Sequence, residues 1–455
     1  MQLEGRRVLV VGAGKSGLAA ANLLARKGAR ATLSDAKGAD ELGGRLSGLD
    51  DRVTLALGSY PDVTREAWDL VVVSPGVPAN IPLLAQACAA GVEVIGEMEL
   101  AWRFARAPMV AVTGTNGKTT TTALVGEIFR TAGRRTLVAG NIGTPLSAAV
   151  EDFGPEDVIV LEVSSFQLEA APTVRPHVAL ILNITPDHLD RHGSMTAYTA
   201  AKARIFANQG PDDWTILNAD DPPTAALAAS SPGRVIFFSR RHRLELGVFV
   251  HQGRIVVNGG GPEGPQTVCL VNALRIPGAH NLENALAAVG AAWAMDVPVE
   301  TVARALQAFQ GVPHRLELVG VVSGVRFIND SKGTNPDASI KALEAFTDPI
   351  VLIAGGRNKG NDFRPFAARF RDKVRALVVL GEAADEIARA AAEAGLREIR
   401  SAPDLPSAVR AAAELARPGD IVLLSPACAS WDMFRNYEER GDLFRRAVTE
   451  MAEGS

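Results

Sequence analysis

At 455 residues, 47% of them apolar and 22% charged, the chain has the length of about three domains, and its composition excludes disordered and fibrous classes. A net charge of -4, with no basic run interleaved with aromatics, withholds the cationic patch that supplies most nucleic-acid affinity. Three scattered cysteines, Cys88, Cys269 and Cys428, offer neither a disulfide framework nor a paired metal site and fit a reducing cytoplasm, and no run of about 20 uncharged apolar residues is available to span a bilayer.

At the N-terminus Arg6 and Arg7 precede the apolar run 8–11, which breaks at Gly12 and is too short for the core of a secretory signal. It reads instead as a strand. The turn that follows, Gly12-Ala-Gly-Lys-Ser-Gly17, opens a helix, and Asp35 ends the next strand at the separation where a dinucleotide site places its ribose-binding acid. Such a turn equally suits another phosphorylated ligand, or close packing of helix on strand. Further β-branched runs at 70–73, 158–161, 178–182, 350–353, 377–380 and 421–424 alternate with Ala/Leu-rich helical stretches, which predicts an α/β fold on mostly parallel sheets. The segment 248–257 alternates about Gln252-Gly253 and predicts an antiparallel hairpin. Changes of texture before Pro108 and at Gly311-Val-Pro313 predict domains at 1–96, 97–311 and 312–455.

A phosphate loop is predicted at Gly114-Thr-Asn-Gly-Lys-Thr119, after the strand-like run 109–113. A strict consensus has glycine where Val112 stands. The physics still holds: Gly114 and Gly117 let backbone N–H groups converge, Lys118 offers a flexible cation, Thr119 or Thr120 offers a hydroxyl to Mg²⁺, and the helix start adds its positive end. Glu162, ending the strand 158–161, is placed as a cation ligand. Asn183-Ile-Thr-Pro-Asp-His-Leu-Asp-Arg-His192 is dense in ligands; the spacing of His188 and His192, with Asp187 or Asp190, is compatible with zinc, but the loop is interrupted by Pro186 and no glutamate follows the first His, which favours a capped turn, for Asp187 and Asp190 above all.

These stretches, joined by Glu162-Val-Ser-Ser-Phe-Gln167, Gly278-Ala-His-Asn-Leu-Glu-Asn284, Pro313-His-Arg315, Asn329-Asp-Ser-Lys-Gly-Thr-Asn335 and Ser425-Pro-Ala-Cys-Ala-Ser-Trp-Asp432, resemble the ATP-dependent Mur ligases of peptidoglycan synthesis from end to end. Val112 is then the family's own form of the loop. Ser331-Lys332 matches the members that add D-glutamate to UDP-N-acetylmuramoyl-L-alanine. The resemblance implies a Rossmann-like N-terminal domain, a central P-loop ATPase-like domain with a mostly parallel sheet, and a Rossmann-like C-terminal domain. It also implies the chemistry: ATP phosphorylates the substrate carboxylate, and the amine of D-glutamate displaces phosphate through a tetrahedral intermediate.

Residue by residue, it implies ATP contacts at Gly114, Thr115, Asn116, Gly117, Lys118, Thr119 and Thr120, with Asn281 and Asn284 on adenine, Asp330 on ribose and Arg315 near the phosphates. Two Mg²⁺ ions are implied, one at Thr119 or Thr120 with Glu162, the other at His188 with Lys202 as a carbamate. Lys118, Glu162, His188 and Lys202 carry the catalysis. For UDP it nominates Lys15, Ser16, Asp35, Ser74, Gly76 and Asn141; for D-glutamate, Lys332, Thr334, Lys359, Ser430 and Tyr437. Ala36, Trp431 and Tyr437 depart from side chains that some relatives carry. The expected protein is a cytoplasmic monomer acting on small molecules, without nucleic acid or a membrane span, whose third domain closes on the second when nucleotide binds. An NAD-dependent oxidoreductase would use residues 12–17 and Asp35 but give the phosphate loop, Glu162 and Lys202 no work; a nucleotide-binding regulator would have no use for a second Mg²⁺ set.

Overall fold

The near-continuous apolar runs form strands buried on both faces, as parallel strands between helical layers must be. In the computed structural model, which describes residues 1–455 apart from 66, 79, 262, 263, 359, 372, 454 and 455, these strands build three sheets. The first holds β1 (Arg7–Val11), β2 (Arg30–Asp35), β3 (Thr54–Leu57), β4 (Leu70–Val73) and β5 (Glu93–Gly96), all parallel, in the order β3-β2-β1-β4-β5. The order reverses between β1 and β4, and such a switch point leaves a crevice beyond the strands' carboxyl ends. Gly12 follows β1 there and Ser74 follows β4.

The second sheet holds β6 (Met109–Thr113), β7 (Thr136–Gly140), β8 (Val158–Glu162), β9 (Val178–Ile181), β10 (Trp214–Asn218), β11 (Arg234–Ser239), β12 (Gly247–His251), β13 (Arg254–Asn258) and β14 (Gln266–Leu270). Its order is β14-β13-β12-β11-β10-β9-β6-β8-β7, with β13 alone running antiparallel to its neighbours. Here β6 lies at the switch point, flanked by β8 and β9. The hairpin predicted at 248–257 is β12–β13, with His251 opposite Arg254 and left-handed φ at Gln252 (48°) and Gly253 (69°), the two-residue turn that matches strand twist.

The third sheet, β15 (Glu317–Val322), β16 (Val325–Asn329), β17 (Ile350–Gly355), β18 (Val374–Leu380), β19 (Ile399–Ser401) and β20 (Ile421–Leu424), runs β15-β16-β20-β17-β18-β19, with β15 alone antiparallel to its neighbour. Side chains of β17 alternate between two cores: Ile350, Leu352 and Ala354 pack with Phe366, whereas Val351 and Ile353 pack with Phe444.

The chain forms two compact units, Met1–Val271 with Glu283–Leu306, and Asn272–Leu282 with Gln307–Ser455. The first carries the first two sheets over one apolar cluster running from Leu3 to Leu217; the second carries the third sheet. The dividing line falls inside the helix Ala279–Trp293. Among the described residues no helix is long and apolar enough to cross a membrane.

One glycine tests the first crevice. A Cβ on Gly17 would lie 1.8 Å from the Gly12 carbonyl oxygen, because the helix Lys15–Arg26 is pressed against the turn that starts it. Gly17→Ala should therefore lower the thermal unfolding midpoint by several degrees, about what 1–3 kcal/mol of overpacking produces; a midpoint within a degree of the parent would contradict the packing.

Candidate active site

The fully buried β6 delivers the chain to a loop that only glycine can turn. Gly114 has φ +152°, and Gly117, at φ +86°, is the left-handed cap of the helix Lys118–Thr131. A Cβ on Gly117 would stand 2.2 Å from Asn284 Oδ1, so both backbone and space require glycine there. The loop is clamped from the end of β9. Asn183 accepts the Asn116 N–H on its side-chain oxygen (2.9 Å), donates its amide to the Asn116 carbonyl (3.1 Å) and accepts the Thr115 N–H on its own carbonyl (2.9 Å). Thr115 Oγ1 donates to the Thr185 carbonyl (3.1 Å), accepts the Thr185 N–H (3.0 Å) and meets the buried Tyr198 hydroxyl (3.2 Å).

Two lysines end on one oxygen of this loop. Lys118 Nζ donates to the carbonyls of Gly114 and Thr115, each at 2.9 Å, and Lys202 Nζ donates to that of Gly114 at 2.8 Å. Lys202 lies on the helix Met195–Ala203, is 1% exposed, and sits 4.6 Å from the centre of the Tyr198 ring. Burial, reinforced by Lys118 and opposed by Asp187, brings its pKa from 10.5 down to about 6. At neutral pH it is therefore mostly an uncharged amine, which is how two lysines can share a carbonyl. An uncharged lysine amine is also a nucleophile.

β8 sets Glu162 beside Val112 in parallel register, 2% exposed. Oε1 accepts from Asn141 Nδ2 at 2.9 Å, whereas the buried Oε2 has no hydrogen-bond partner. An orphaned carboxylate oxygen is costly. Beside a phosphate loop, with the buried hydroxyls of Thr119 and Thr120 on the helix that starts there, it fits a hard divalent cation. Among the described residues no three His, Cys, Asp or Glu side chains cluster as a metal site, so such a cation would need hydroxyl and phosphate oxygens to complete its shell.

His188, at φ 52°, is exposed, with Nε2 3.6 Å from Asp187 Oδ2 and its ring edge-on to Phe166 at 5.0 Å. His192 is turned inward, between Ser165 Oγ (3.0 Å) and Glu169 Oε1 (3.3 Å), stacked on Phe166 at 5.3 Å, and burial lowers its pKa. With His192 so engaged, a zinc site pairing it with His188 loses its second imidazole. The side chain of Asp190 lies outside the described residues.

The first crevice collects Lys15, Ser16, Asp35, Ser74, Gly76 and Asn141 in one cleft of about 360 Å³, with Gln167. Both Asp35 oxygens are engaged by backbone, Oδ2 by the Ala13 N–H (2.7 Å) and Oδ1 by the Lys37 N–H (2.9 Å), so this acid shapes the glycine turn. Ser74 Oγ donates to the Gly12 carbonyl at 2.9 Å.

In the second unit, Asp330 follows β16, fully enclosed; its Oδ2 accepts from Ser425 Oγ at 2.7 Å, and burial, opposed first by Arg315, raises its pKa to about 6. Lys332 Nζ stands 5.4 Å from the centre of the Tyr437 ring, Thr334 N–H donates to the Lys332 carbonyl (2.9 Å), and Ser430 is 2% exposed. Asn281 donates to the Pro277 carbonyl at 2.6 Å. Lys359 lies outside the described residues. Asn281 belongs to this unit, whereas Asn284 packs against Gly117 in the other.

Sequence reasoning missed the residues that brace these groups. Asn183 stands in the polar run 183–192 without an assigned role, and Tyr198 was not singled out. Nor was Arg440, 2% exposed, which donates to Ser331 Oγ (2.9 Å), the Ser331 carbonyl (2.8 Å) and the Cys428 carbonyl (3.2 Å). It ties the Ser331-Lys332 turn to the strand end that leads to Ser430. An arginine beside Glu438 and Glu439 reads locally as a surface ion pair, and nothing in the sequence signals its burial.

Comparison with known proteins matches residues 6–96 to the Mur ligase MurD-like N-terminal domain, 112–292 to the Mur ligase middle domain, and 314–428 to the Mur ligase glutamate ligase domain. The UDP-N-acetylmuramoylalanine--D-glutamate ligase of Pelotomaculum thermopropionicum is 58% identical over 99% of this chain and 98% of that protein. That of Desulfitobacterium hafniense strain Y51 is 49% identical over 98% of each. Among solved structures, the UDP-N-acetylmuramate-alanine ligase of Thermotoga maritima superposes with a TM-score of 0.62 at 20% identity, over 98% of this chain and 99% of that one, a likeness of fold.

The Lys202 amine gives this site a pH signature. Its folded pKa of about 6 is below the ordinary 10.5, so burial costs stability in full below the folded value, and the cost fades as pH rises to the ordinary one. Lys202→Met should therefore raise the thermal midpoint at about pH 6.5, with a gain that shrinks toward zero near pH 10. A gain independent of pH would contradict the neutral amine.

Proposed function

The chain belongs to the Mur ligase family, and from that premise we propose that it joins D-glutamate to UDP-N-acetylmuramoyl-L-alanine while converting ATP to ADP and phosphate, making a peptidoglycan precursor. The observation that carries this reading is the 58% identity, over 99% of the chain, to a ligase named for that reaction.

A carboxylate is a poor electrophile, and an amide does not form from it unaided in water. Transfer of the γ-phosphoryl group to the substrate carboxylate leaves ADP and an acyl phosphate. The D-glutamate amine adds to its carbonyl carbon, and the tetrahedral intermediate collapses with phosphate leaving and the amine proton lost. Lys118, seated in the loop, is suited to offset charge on the transferring group, where positioning and electrostatics supply most of the catalysis. Mg²⁺, when bound, supplies Lewis-acid polarisation of phosphoryl oxygens. Glu162 with Thr119 or Thr120 would hold one ion, and His188 with Lys202 a second.

For that second role Lys202 must become anionic. Its buried amine is suited to add to carbon dioxide and lose a proton, giving a carbamate whose oxygens would suit a hard cation beside Lys118. We assign UDP to Lys15, Ser16, Ser74, Gly76 and Asn141, with Asp35 shaping the turn that faces the diphosphate. ATP is assigned to residues 114–120 with Asn281, Asn284, Arg315 and Asp330, and D-glutamate to Lys332, Thr334, Lys359, Ser430 and Tyr437. The domains at 1–96, 97–311 and 312–455 carry these roles in turn, in a monomer of the cytoplasm.

The test is phosphate release from ATP and Mg²⁺ with UDP-N-acetylmuramoyl-L-alanine, offering D-glutamate, L-glutamate, meso-diaminopimelate and L-lysine in parallel. Release coupled to product with D-glutamate alone is expected. Turnover with a different amino acid would overturn the substrate, and turnover with none would overturn the ligase.

A further inference from the structure

The cleft assigned to the nucleotide sugar does not end at Gln167. A second cavity, of about 320 Å³, shares Ser74, Pro75, Val77 and Gln167 with it as a common wall. Its other surfaces differ in kind. Val73, Leu84, Val94, Met98, Phe166 and Ala170 make it mainly apolar, and the glycine turn contributes nothing. The charged groups that reach it are already engaged. Glu97 accepts hydrogen bonds from the backbone and hydroxyl of Ser147, and burial raises its pKa toward the neutral form. Arg191 lies over the Phe166 ring at 3.8 Å, with its other contact the Glu169 carboxylate at 3.8 Å.

Elimination says what such a space can take. A diphosphate needs the N–H groups and the cation that the glycine turn and Lys15 supply, and these line the neighbouring cleft. An adjoining pocket of about 290 Å³, which shares Gly14, Asp35, Gly76 and Val77 with that cleft and adds Ala36 and Tyr60, would take the nucleoside end. The cleft is also lined by Asn141, whose amide is bonded to Glu162. The alanyl carboxylate has to travel that way to meet Lys118. What remains at the Gln167 wall is the sugar, whose own apolar appendage is the methyl of its N-acyl group.

We propose that this cavity is the subsite for the N-acyl group of the amino sugar, and that it accepts chains longer than acetyl. The assignment rests on the nucleotide-sugar reading above. An acetyl methyl fills a small part of about 320 Å³, and the apolar walls beyond it favour added methylenes. Each methylene buried there should tighten binding by up to about four-fold.

The experiment compares UDP-N-acetylmuramoyl-L-alanine with its N-propionyl and N-butyryl analogues, using the full-length protein, D-glutamate and ATP, and reads KM separately from kcat. The unaltered protein should take the N-butyryl substrate with a KM no higher than that of the N-acetyl substrate. Val94→Phe, which fills the cavity, should raise the butyryl-to-acetyl KM ratio by about ten-fold or more. Leu84→Ala, which widens it, should not raise that ratio. Rejection of N-butyryl by the unaltered protein, or a ratio untouched by Val94→Phe, would overturn the subsite. Should Val94→Phe fail to fold, equilibrium binding of the three sugars to the unaltered protein without ATP decides the matter: affinity falling with chain length overturns it. If the N-acetyl substrate itself is not turned over, the functional reading falls and the assignment falls with it, a result distinct from rejection of longer chains.

Discussion

The Gly114 carbonyl receives two lysine side chains, and the central sheet is arranged so that it can. Two ammonium groups on one buried oxygen would repel strongly at low local dielectric. The arrangement holds because one of them, Lys202, is desolvated enough to give up its proton. Everything around it fixes that desolvation: β6 is buried along its length, Tyr198 covers the Lys202 amine and reaches Thr115, and Asn183 clamps Thr115 and Asn116 from the next strand. A loop free to move would let water in and restore the charge. On the adjacent strand the buried Glu162 Oε2 has no hydrogen-bond partner, which raises the local demand for a cation.

The same plan recurs at the strand ends of the other sheets with different chemistry. In the first, the Gly12 N–H donates to the Ser34 carbonyl, the Ala13 N–H to Asp35 and Ser74 Oγ to the Gly12 carbonyl, and these bonds shape the glycine turn. In the third, Asp330, Ser331 and Ser425 follow β16 and β20, and the buried Arg440 stitches the Ser331 turn to the Cys428 carbonyl. That arginine donates to neutral acceptors, the Ser331 hydroxyl and the carbonyls of Ser331 and Cys428, and burial lowers its pKa to about 10. It holds the backbone one residue before Lys332 and two residues before Ser430. The pattern is a rigid frame of buried polar groups presenting a few outward-facing ones.

How much of this was legible depended on range. Strands, glycine turns and the β12–β13 hairpin were written locally, in β-branched runs and in glycines that take left-handed angles, and the structure has them where the sequence placed them. Glu162 was legible as an acid ending a strand. Lys202 was not: an alanine-rich helix with one lysine describes a solvated face, and only resemblance to a family nominated it. The carbonyl it meets lies 88 positions away in the chain, which no local pattern reports. Asp35 sits where a ribose-binding acid would, yet two backbone N–H groups claim it. His188 and His192 share a spacing that suggests a metal, and the turn between them sends one out and one in.

The most direct measurement is the ¹³C NMR spectrum of the protein in ¹³C-bicarbonate with Mg²⁺, beside that of Lys202→Arg. The arginine is a long side chain that presents no free amine to carbon dioxide. A carbamate resonance in the parent, absent in the variant, and phosphate release that rises with bicarbonate in the parent alone, is the predicted result. A parent without a carbamate signal, turning over at full rate in bicarbonate-free buffer, would contradict the claim that the amine beside Gly114 is a place held for an anion.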